Sequence, residues 1–391
     1  MKIVRLAFAA AFLWCALVEI AEAVAGRLFG MEIDGDWYLL LTGSSLSAMG
    51  EFVRQYAVPL AAAVAAFAVL VLVACVLSFR TSRRTFALVC ALAAALVAVR
   101  SWQSGSLKAW KPLYVAFDTV RGVRLYGEIA AAGEWTPERA ARVRPVPEGA
   151  TNYVFVIGES MTSKRLSFYG YPKRTTPDLE ALGDRLEKQG PIRAPSPYTV
   201  ISLARFFLLN GVSAPVRFRQ AGYDTYFVGS HHRWARYCSV ESSVFAACEH
   251  KVYLSEVRKG EHVYDGMLLP YVREMTSGRK PFVLFVHMMG SHFNPVDRVP
   301  PGFAENEGLD DYDRSIRCTD KVLAEIIAAL PPRTVLVYVP DHGESTDRPG
   351  WRDMGSDALL SVPVFVYPAR AVGRIGSVAD FSAMWYNLAD Q

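Results

Sequence analysis

The chain has 391 residues, 52% of them hydrophobic, and a net charge of only +4. That apolar share exceeds what an ordinary soluble enzyme needs, and the small charge comes with no nucleic-acid-binding signature. The length suits a membrane module followed by one α/β domain of about 240 residues, and no internal repeat is visible.

The apolar excess lies at the N-terminus. Leu6–Ala25 is apolar with Lys2 and Arg5 ahead of it. Val58–Phe79 has roughly the 20 residues that a bilayer crossing needs, and Phe86–Val99 is a shorter third segment bounded by Arg83, Arg84 and Arg100. Counted as three spans, these segments leave Lys2, Arg5, Arg80, Arg83 and Arg84 on one side, as the positive-inside rule requires. The reading is a multi-pass protein of the inner (cytoplasmic) membrane with everything beyond residue 100 in the periplasm. Ala21-Glu22-Ala23 offers a signal-peptide alternative for the first segment, and cleavage there leaves the orientation unchanged. Glu19 and Glu22 are either intramembrane acids or markers of the outer helix end.

Residues 101–149 form a junction. Trp102, Trp110, Tyr114, Phe117 and Tyr126 interleave with Lys108, Lys111, Arg121 and Arg124, a mixture suited to a bilayer interface or to an amphipathic helix packed on a domain. Residues 134–149, with three prolines and many charges, read as a linker. The chain thus divides into a transmembrane module (1–100), an interfacial and linker segment (101–149) and an extracytoplasmic domain (150–391).

From residue 150 strands and helices alternate. Tyr153–Ile157 is a short apolar strand running into Gly158-Glu159-Ser160, and Thr176-Pro177-Asp178 opens a helix expected over Thr176–Gln189. Thr199, ahead of the helix-like stretch Leu203–Asn210, reads in two ways. It is an N-cap, or it is a hydroxyl at the positive end of a helix that a metal can ionise into a nucleophile. Tyr223–Gly229 is a strand, and Tyr237–His250 is a polar loop without a secondary-structure pattern. Cys238 and Cys248 within that loop predict a disulfide in an oxidising compartment, with a Cys238/Cys248/His250 metal site as the alternative. Helices follow over Val263–Met275 and over Asp313–Leu330, the latter carrying a buried, reduced Cys318. Strands follow at Pro281–Val286, Thr334–Val339 and Val362–Tyr367. Alternating βα units with continuous apolar strands predict an α/β fold, a mostly parallel sheet sandwiched by helices.

Three of these strands empty into acids or histidines: Glu159 after the first, His287 and then Ser291-His292 after the third, and Asp341-His342-Gly343-Glu344 after the fourth. Ligands of open α/β sheets gather beyond the carboxyl ends of the strands. One such end is a plain turn; three in a chain with seven histidines point to a metal site. Asp341 and His342 offer a carboxylate oxygen and an imidazole, a pair that zinc accepts.

Gly158-Glu159-Ser160, Tyr169-Gly170-Tyr171, Thr175-Thr176-Pro177, Thr199-Val200-Ile201-Ser202, His287-Met288-Met289-Gly290-Ser291-His292, Tyr312-Asp313 and Asp341-His342-Gly343-Glu344 occur in this order over about residues 150–367. Together they resemble the catalytic domain of bacterial phosphoethanolamine transferases. Those enzymes form part of the sulfatase-like branch of the alkaline phosphatase superfamily and include the lipid A modifiers behind polymyxin resistance. The resemblance implies an alkaline phosphatase-like sheet and one Zn2+ held by Glu159, Thr199, Asp341 and His342. It also implies Thr199 as nucleophile, with His292 and His287 beside the transferred phosphate. The implied reaction moves phosphoethanolamine from phosphatidylethanolamine to lipid A or another envelope glycan, in a monomeric, membrane-bound enzyme.

The sequence departs from that pattern in two places. No cysteine flanks Thr199, where Pro197 and Ala204 stand instead, and no histidine follows His342, where the stretch Trp351–Gly355 lacks the family's further His. His231 and His232 are candidates to replace it, or else a solvated pair. A phosphoglycerol transferase, a phosphodiesterase or sulfatase-like hydrolase, and an inactive membrane-anchored binding or regulatory protein are the other readings. A formylglycine-dependent sulfatase is disfavoured because the Cys/Ser-x-Pro-x-Arg segment is absent around Thr199.

Overall fold

The computed structural model describes residues 2–29, 53–54, 57–80, 82, 84–85, 111–146, 149–231, 240–292, 294–305, 307–345 and 356–390. The chain divides into two compact units, Met1–Leu41 with Leu46–Leu125, and Thr42–Ser45 with Tyr126–Gln391.

In the first unit α1 (Lys2–Phe29) packs against α2 (Ala57–Arg80), and α3 (Lys111–Gly133) begins. Among the described residues no helix is long and apolar enough to cross a membrane. The expected third segment, residues 86–99, lies outside the described residues.

The second unit is built on a seven-stranded sheet. Its strands are β1 (Asn152–Gly158), β2 (Glu187–Lys188), β3 (Asp224–Gly229), β4 (His250–Tyr253), β5 (Phe282–His287), β6 (Thr334–Pro340) and β7 (Phe365–Tyr367), in spatial order β2-β7-β6-β1-β5-β3-β4. All pairs from β6 to β4 are parallel, and β7 and β2 close one edge antiparallel. The central strands are buried on both faces because both faces carry helices. On one face Phe155 stacks on Phe285 and meets Phe207 of α4 (Thr199–Phe207) and Phe381, which lies on the C-terminal helix Val378–Leu388. On the other, Val154, Val156, Leu284, Val286, Leu336 and Tyr338 pack with Ile316, Leu323 and Ile326, from the helix Asp311–Ala329. Each such fully buried side chain contributes about 1.5–3 kcal/mol. The α/β, mostly parallel, helix-sandwiched architecture read from the sequence is the one observed.

Three expected elements are corrected. Thr176–Gln189 is a single α-turn, Pro177–Glu180, then a 3-10 turn and β2, because Gly183 (φ +53) breaks the helix and residues 187–188 pair with β7. The helix expected from Val263 begins as a 3-10 turn at Asp265 and becomes α-helical only at Leu269, with Pro270 in its first turn. The expected strand Val362–Tyr367 splits, with Ser361–Val362 pairing instead with Ile192–Arg193.

Of the expected disulfide pair, Cys248 lies within the described residues. Cys248 is a free thiol at 2% exposure, enclosed where Val240–Val244 and β4 meet the core. Burial pushes its pKa well up, so it behaves as a small apolar side chain. Cys238 lies outside the described residues, as does His232.

Candidate metal centre

Parallel register brings the chemistry to one edge. Gly158 is opposite Pro340, while Ile157 and Gly229 both lie opposite His287. The residues that follow these strands, Glu159, Asp341, Met288 and Ser230, therefore leave the sheet at the same level. The backbones are tied together there: the Met288 amide donates to Ile157 O (2.9 Å), the Ser230 amide to His287 O (2.9 Å) and the Asp341 amide to Gly158 O (3.0 Å).

Glu159, Asp341 and His342 are all fully buried, and their ligand atoms lie within 4.8 Å of one another. His342 Nε2 is 3.4 Å from Glu159 Oε1 and 3.3 Å from Asp341 Oδ2. Burial alone would keep the Asp341 carboxyl neutral. The adjacent His342, helped by the Ser160 amide, overcomes this and holds it below its ordinary value. The Ser160 amide donates to Asp341 Oδ1 (3.0 Å) and the Ser160 hydroxyl to Glu159 Oε1 (2.7 Å). Ser160 does so with φ +55, a left-handed conformation costly for a residue with a Cβ. Tyr312 pins the turn, its hydroxyl donating to Ser160 O (2.7 Å) and accepting from the Thr162 amide (3.0 Å).

Thr199 joins this group from α4. Tyr198, in extended conformation, is the cap residue, so Thr199 is the first helical residue rather than the N-cap. Its hydroxyl donates to Glu159 Oε2 at 3.0 Å. All four residues expected to share a metal are therefore brought together. They fit a zinc ion on their own chemistry: two carboxylates, an imidazole and a hydroxyl are a four-coordinate donor set, and Asp341 Oδ2 is buried without a hydrogen-bond donor.

His287 and His292 stand beside them. Gly290 makes the approach possible: at φ +50, a Cβ there would stand 2.7 Å from Glu159 O. The Ser291 amide donates to that same carbonyl at 2.9 Å. Asp265 supports the loop from behind, accepting from the Met289 (2.7 Å) and Gly290 (2.8 Å) amides and from the Ser230 hydroxyl (2.6 Å). The His292 ring sits edge-on to that of His231, with centroids 5.9 Å apart.

Sequence reasoning missed Ser160 as a tether, Asp265 as a support, and Glu241, whose carboxylate bonds His287 Nδ1. Glu241 lies on the helix Val240–Val244, inside a stretch that reads as patternless, and nothing in its neighbours signals the contact. His231 is largely buried and faces the centre, not solvent; burial and the adjacent His287 hold its pKa down at about 3. Residues 346–355, including Trp351, lie outside the described residues.

The chain is similar to several known proteins. The sulfatase family profile matches residues 213–388. The phosphoethanolamine transferase EptC of Escherichia coli K12 is 28% identical over 289 residues, covering 60% of this chain and 50% of the relative. The chain thus spans about half the length of the curated relatives it matches. The crystal structure of the periplasmic domain of EptC from Escherichia coli, in complex with Zn, superposes with a TM-score of 0.56 at 23% identity, covering 63% of this chain and 86% of that one. The integral membrane lipooligosaccharide phosphoethanolamine transferase A of Neisseria meningitidis superposes with a TM-score of 0.64 at 18% identity, over 94% of this chain and 77% of that one. The chain is thus similar in sequence to sulfatases over residues 213–388 and to phosphoethanolamine transferases over a wider stretch, and it shares the fold of the solved transferases.

Proposed function

We propose that this chain is a zinc-dependent phosphoethanolamine transferase that moves phosphoethanolamine from phosphatidylethanolamine to an envelope glycolipid such as lipid A, through a phosphothreonine at Thr199. One observation carries the reading: the Thr199 hydroxyl, at the first position of α4, donates to Glu159 within a buried cluster that also holds Asp341 and His342.

Glu159, Thr199, Asp341 and His342 would hold the zinc ion. Bound there, zinc supplies Lewis acidity that lowers the pKa of a hydroxyl and offsets phosphoryl charge. Glu159 holds the Thr199 proton along a defined hydrogen bond, which leaves the oxygen's lone pairs for attack. The first turn of α4 leaves backbone N–H groups without intrahelical partners, and these suit a phosphoryl oxygen. In the first half-reaction Thr199 Oγ1 attacks phosphorus, the bond from phosphorus to the diacylglycerol oxygen breaks, and diacylglycerol leaves with a proton. In the second, an acceptor hydroxyl attacks the phosphothreonine, and its proton returns to Thr199 as the P–O bond to the enzyme breaks. His292 lines the same edge, where it can bind a phosphoryl oxygen or carry these protons.

Membrane attachment is part of the proposal and rests on the sequence, in which Val58–Phe79 carries no charged residue. A donor lipid and a glycolipid acceptor both reside at a bilayer, and an enzyme anchored there meets them without extracting either. A monomer suffices, since one chain contributes every residue of the centre.

The test is incubation of the full chain, in membranes, with mass-tagged phosphatidylethanolamine. Transfer of the tag to a glycolipid, with one phosphoethanolamine trapped on the Thr199 peptide, is the expected result. Tagged phosphoglycerol transferred instead would assign the related transferase, tag released to water a hydrolase, and no turnover a binding protein.

A further inference from the structure

The structure assigns to this chain a second divalent-cation site beside the first, formed by His231 and His287 with Glu159 shared between the two. His231 follows β3 by two residues and His287 ends β5, adjacent parallel strands whose register places Gly229 opposite His287. The candidate ligand atoms of Glu159, His231 and His287 lie within 4.8 Å of one another, a group that shares only the Glu159 carboxylate with the group of Glu159, Asp341 and His342.

The state of His287 carries the argument. It is fully buried, and its Nδ1 is taken by the Glu241 carboxylate. That bond fixes the tautomer, with the proton on Nδ1 and a lone pair on Nε2. Nε2 is buried and has no hydrogen-bond partner, which is costly for a polar atom unless something occupies its lone pair. A histidine that ligates a metal characteristically donates its other ring N–H to a carboxylate, and Glu241 stands in that relation to His287.

His231 supplies the second nitrogen. Its ring lies parallel to that of His287, with centroids 4.1 Å apart, and its Nε2 is 3.8 Å from Glu159 Oε2. The same Nε2 is 2.9 Å from Met288 O. Binding a cation would exchange that carbonyl contact for a metal bond: the neutral imidazole changes tautomer, its proton passing through solvent from Nε2 to Nδ1, and the rings slide apart to bring both Nε2 lone pairs onto the ion. Glu159 is placed to bridge, with Oε1 toward His342 (3.4 Å) and Oε2 toward His231. Two imidazoles and one carboxylate oxygen suit zinc or a similar borderline divalent ion and leave a coordination position open.

The test counts metal and does not depend on turnover. Full chain purified in detergent is stripped with chelator, dialysed against Zn2+ and then against metal-free buffer, and analysed for zinc. The wild type is expected to retain about two ions per chain, and His231→Ala about one. Asp341→Ala is expected to retain about one, and the double variant essentially none. With Co2+ in place of Zn2+, the ligand-field spectrum of His231→Ala should equal the difference between the wild-type and Asp341→Ala spectra. His231 is chosen because it lies in the loop after β3 rather than in a strand, and His231→Gln with an unchanged circular dichroism spectrum checks that folding is intact. A wild type that saturates at one ion, or a His231→Ala variant that keeps two, overturns the second site. An unchanged count in Asp341→Ala would instead remove the first site, so the two readings fail separately.

Discussion

The backbone amide of Ser160 donates to Oδ1 of Asp341 at 3.0 Å, joining the carboxyl ends of β1 and β6 across 181 residues of sequence. The Ser160 hydroxyl bonds Glu159 Oε1 at the same time, so one residue with φ +55 orients both carboxylates of the centre. Such a turn persists only where its surroundings over-determine it, here through Tyr312 on the Ser160 carbonyl.

Ser160→Ala keeps the amide bond to Asp341 and loses the hydroxyl bond to Glu159. The fold should survive, while zinc affinity falls about 10–100-fold, the usual effect of removing a partner that orients a metal ligand. Zinc competition with a chromophoric chelator measures it; unchanged affinity would mean that Glu159 needs no such tether.

Gly290→Ala tests the close approach between the histidine-bearing loop and Glu159. The added Cβ would meet Glu159 O at 2.7 Å and Glu159 N at 3.0 Å, both backbone atoms, at a φ of +50. Overpacking against backbone costs about 1–3 kcal/mol, and the strain falls on Glu159 itself. A lower unfolding temperature together with loss of zinc is expected. A fall in stability with zinc binding unaltered would show that the loop moves and Glu159 does not.

The legible parts of this molecule were those written in local patterns. β1, β5 and β6 are unbroken apolar runs that end in Glu159, His287 and Asp341, so strand, edge and chemistry could all be read from short windows. Thr199 was legible as a residue but not in its helical position, because the choice between cap and first turn depends on Tyr198 being extended. The helix expected over Thr176–Gln189 fails because pairing of Glu187–Lys188 with β7, 177 or more residues away, overrides local helix signals. Glu241 and Asp265 were invisible for a related reason: each acts on a loop distant in sequence, at His287 and at Met289–Gly290. Support contacts of this kind leave no spacing for a reader of one sequence to find.

Asp310 provides a pH-dependent test of the helix that carries Tyr312. It caps Asp311–Ala329, with Oδ1 accepting the Asp313 amide (2.8 Å) and Oδ2 accepting Arg165 (3.0 Å). Partial burial opposes its charge, but the Asp313 amide and Arg165 outweigh burial and hold the carboxyl below its ordinary value. A depressed folded-state pKa means that the stabilisation is present above the unfolded value of about 3.9 and is lost as pH falls through the lower folded value. Asp310→Ala should therefore cost about 1 kcal/mol at neutral pH, mostly the lost cap, and the gap to wild type should narrow below about pH 4. Asp310→Asn keeps a capping oxygen and should lose less. Thermal unfolding of the detergent-solubilised chain across this range reads both, and a gap that widens toward low pH would refute the assignment.

Thr199 decides whether transfer is a double displacement. Its hydroxyl is bonded to Glu159 Oε2 at the start of α4, and Ser202, one turn on, is turned away with its hydroxyl on Ser196 O (2.9 Å). Ser202 is therefore not a substitute nucleophile. Thr199→Ala removes the attacking oxygen but leaves Glu159, Asp341 and His342 in place. The variant should fold and keep measurable zinc, yet lose turnover by roughly 10³-fold or more. Thr199→Ser restores an oxygen at the same helical position and should recover roughly a tenth of the wild-type rate, since a primary hydroxyl lacking the γ-methyl samples more rotamers. The pair is measured together, by transfer of tagged phosphoethanolamine and by mass mapping of the trapped adduct. Wild-type turnover in Thr199→Ala, or an adduct on any other peptide, would require direct attack by the acceptor and would leave the bond between Thr199 and Glu159 a structural one.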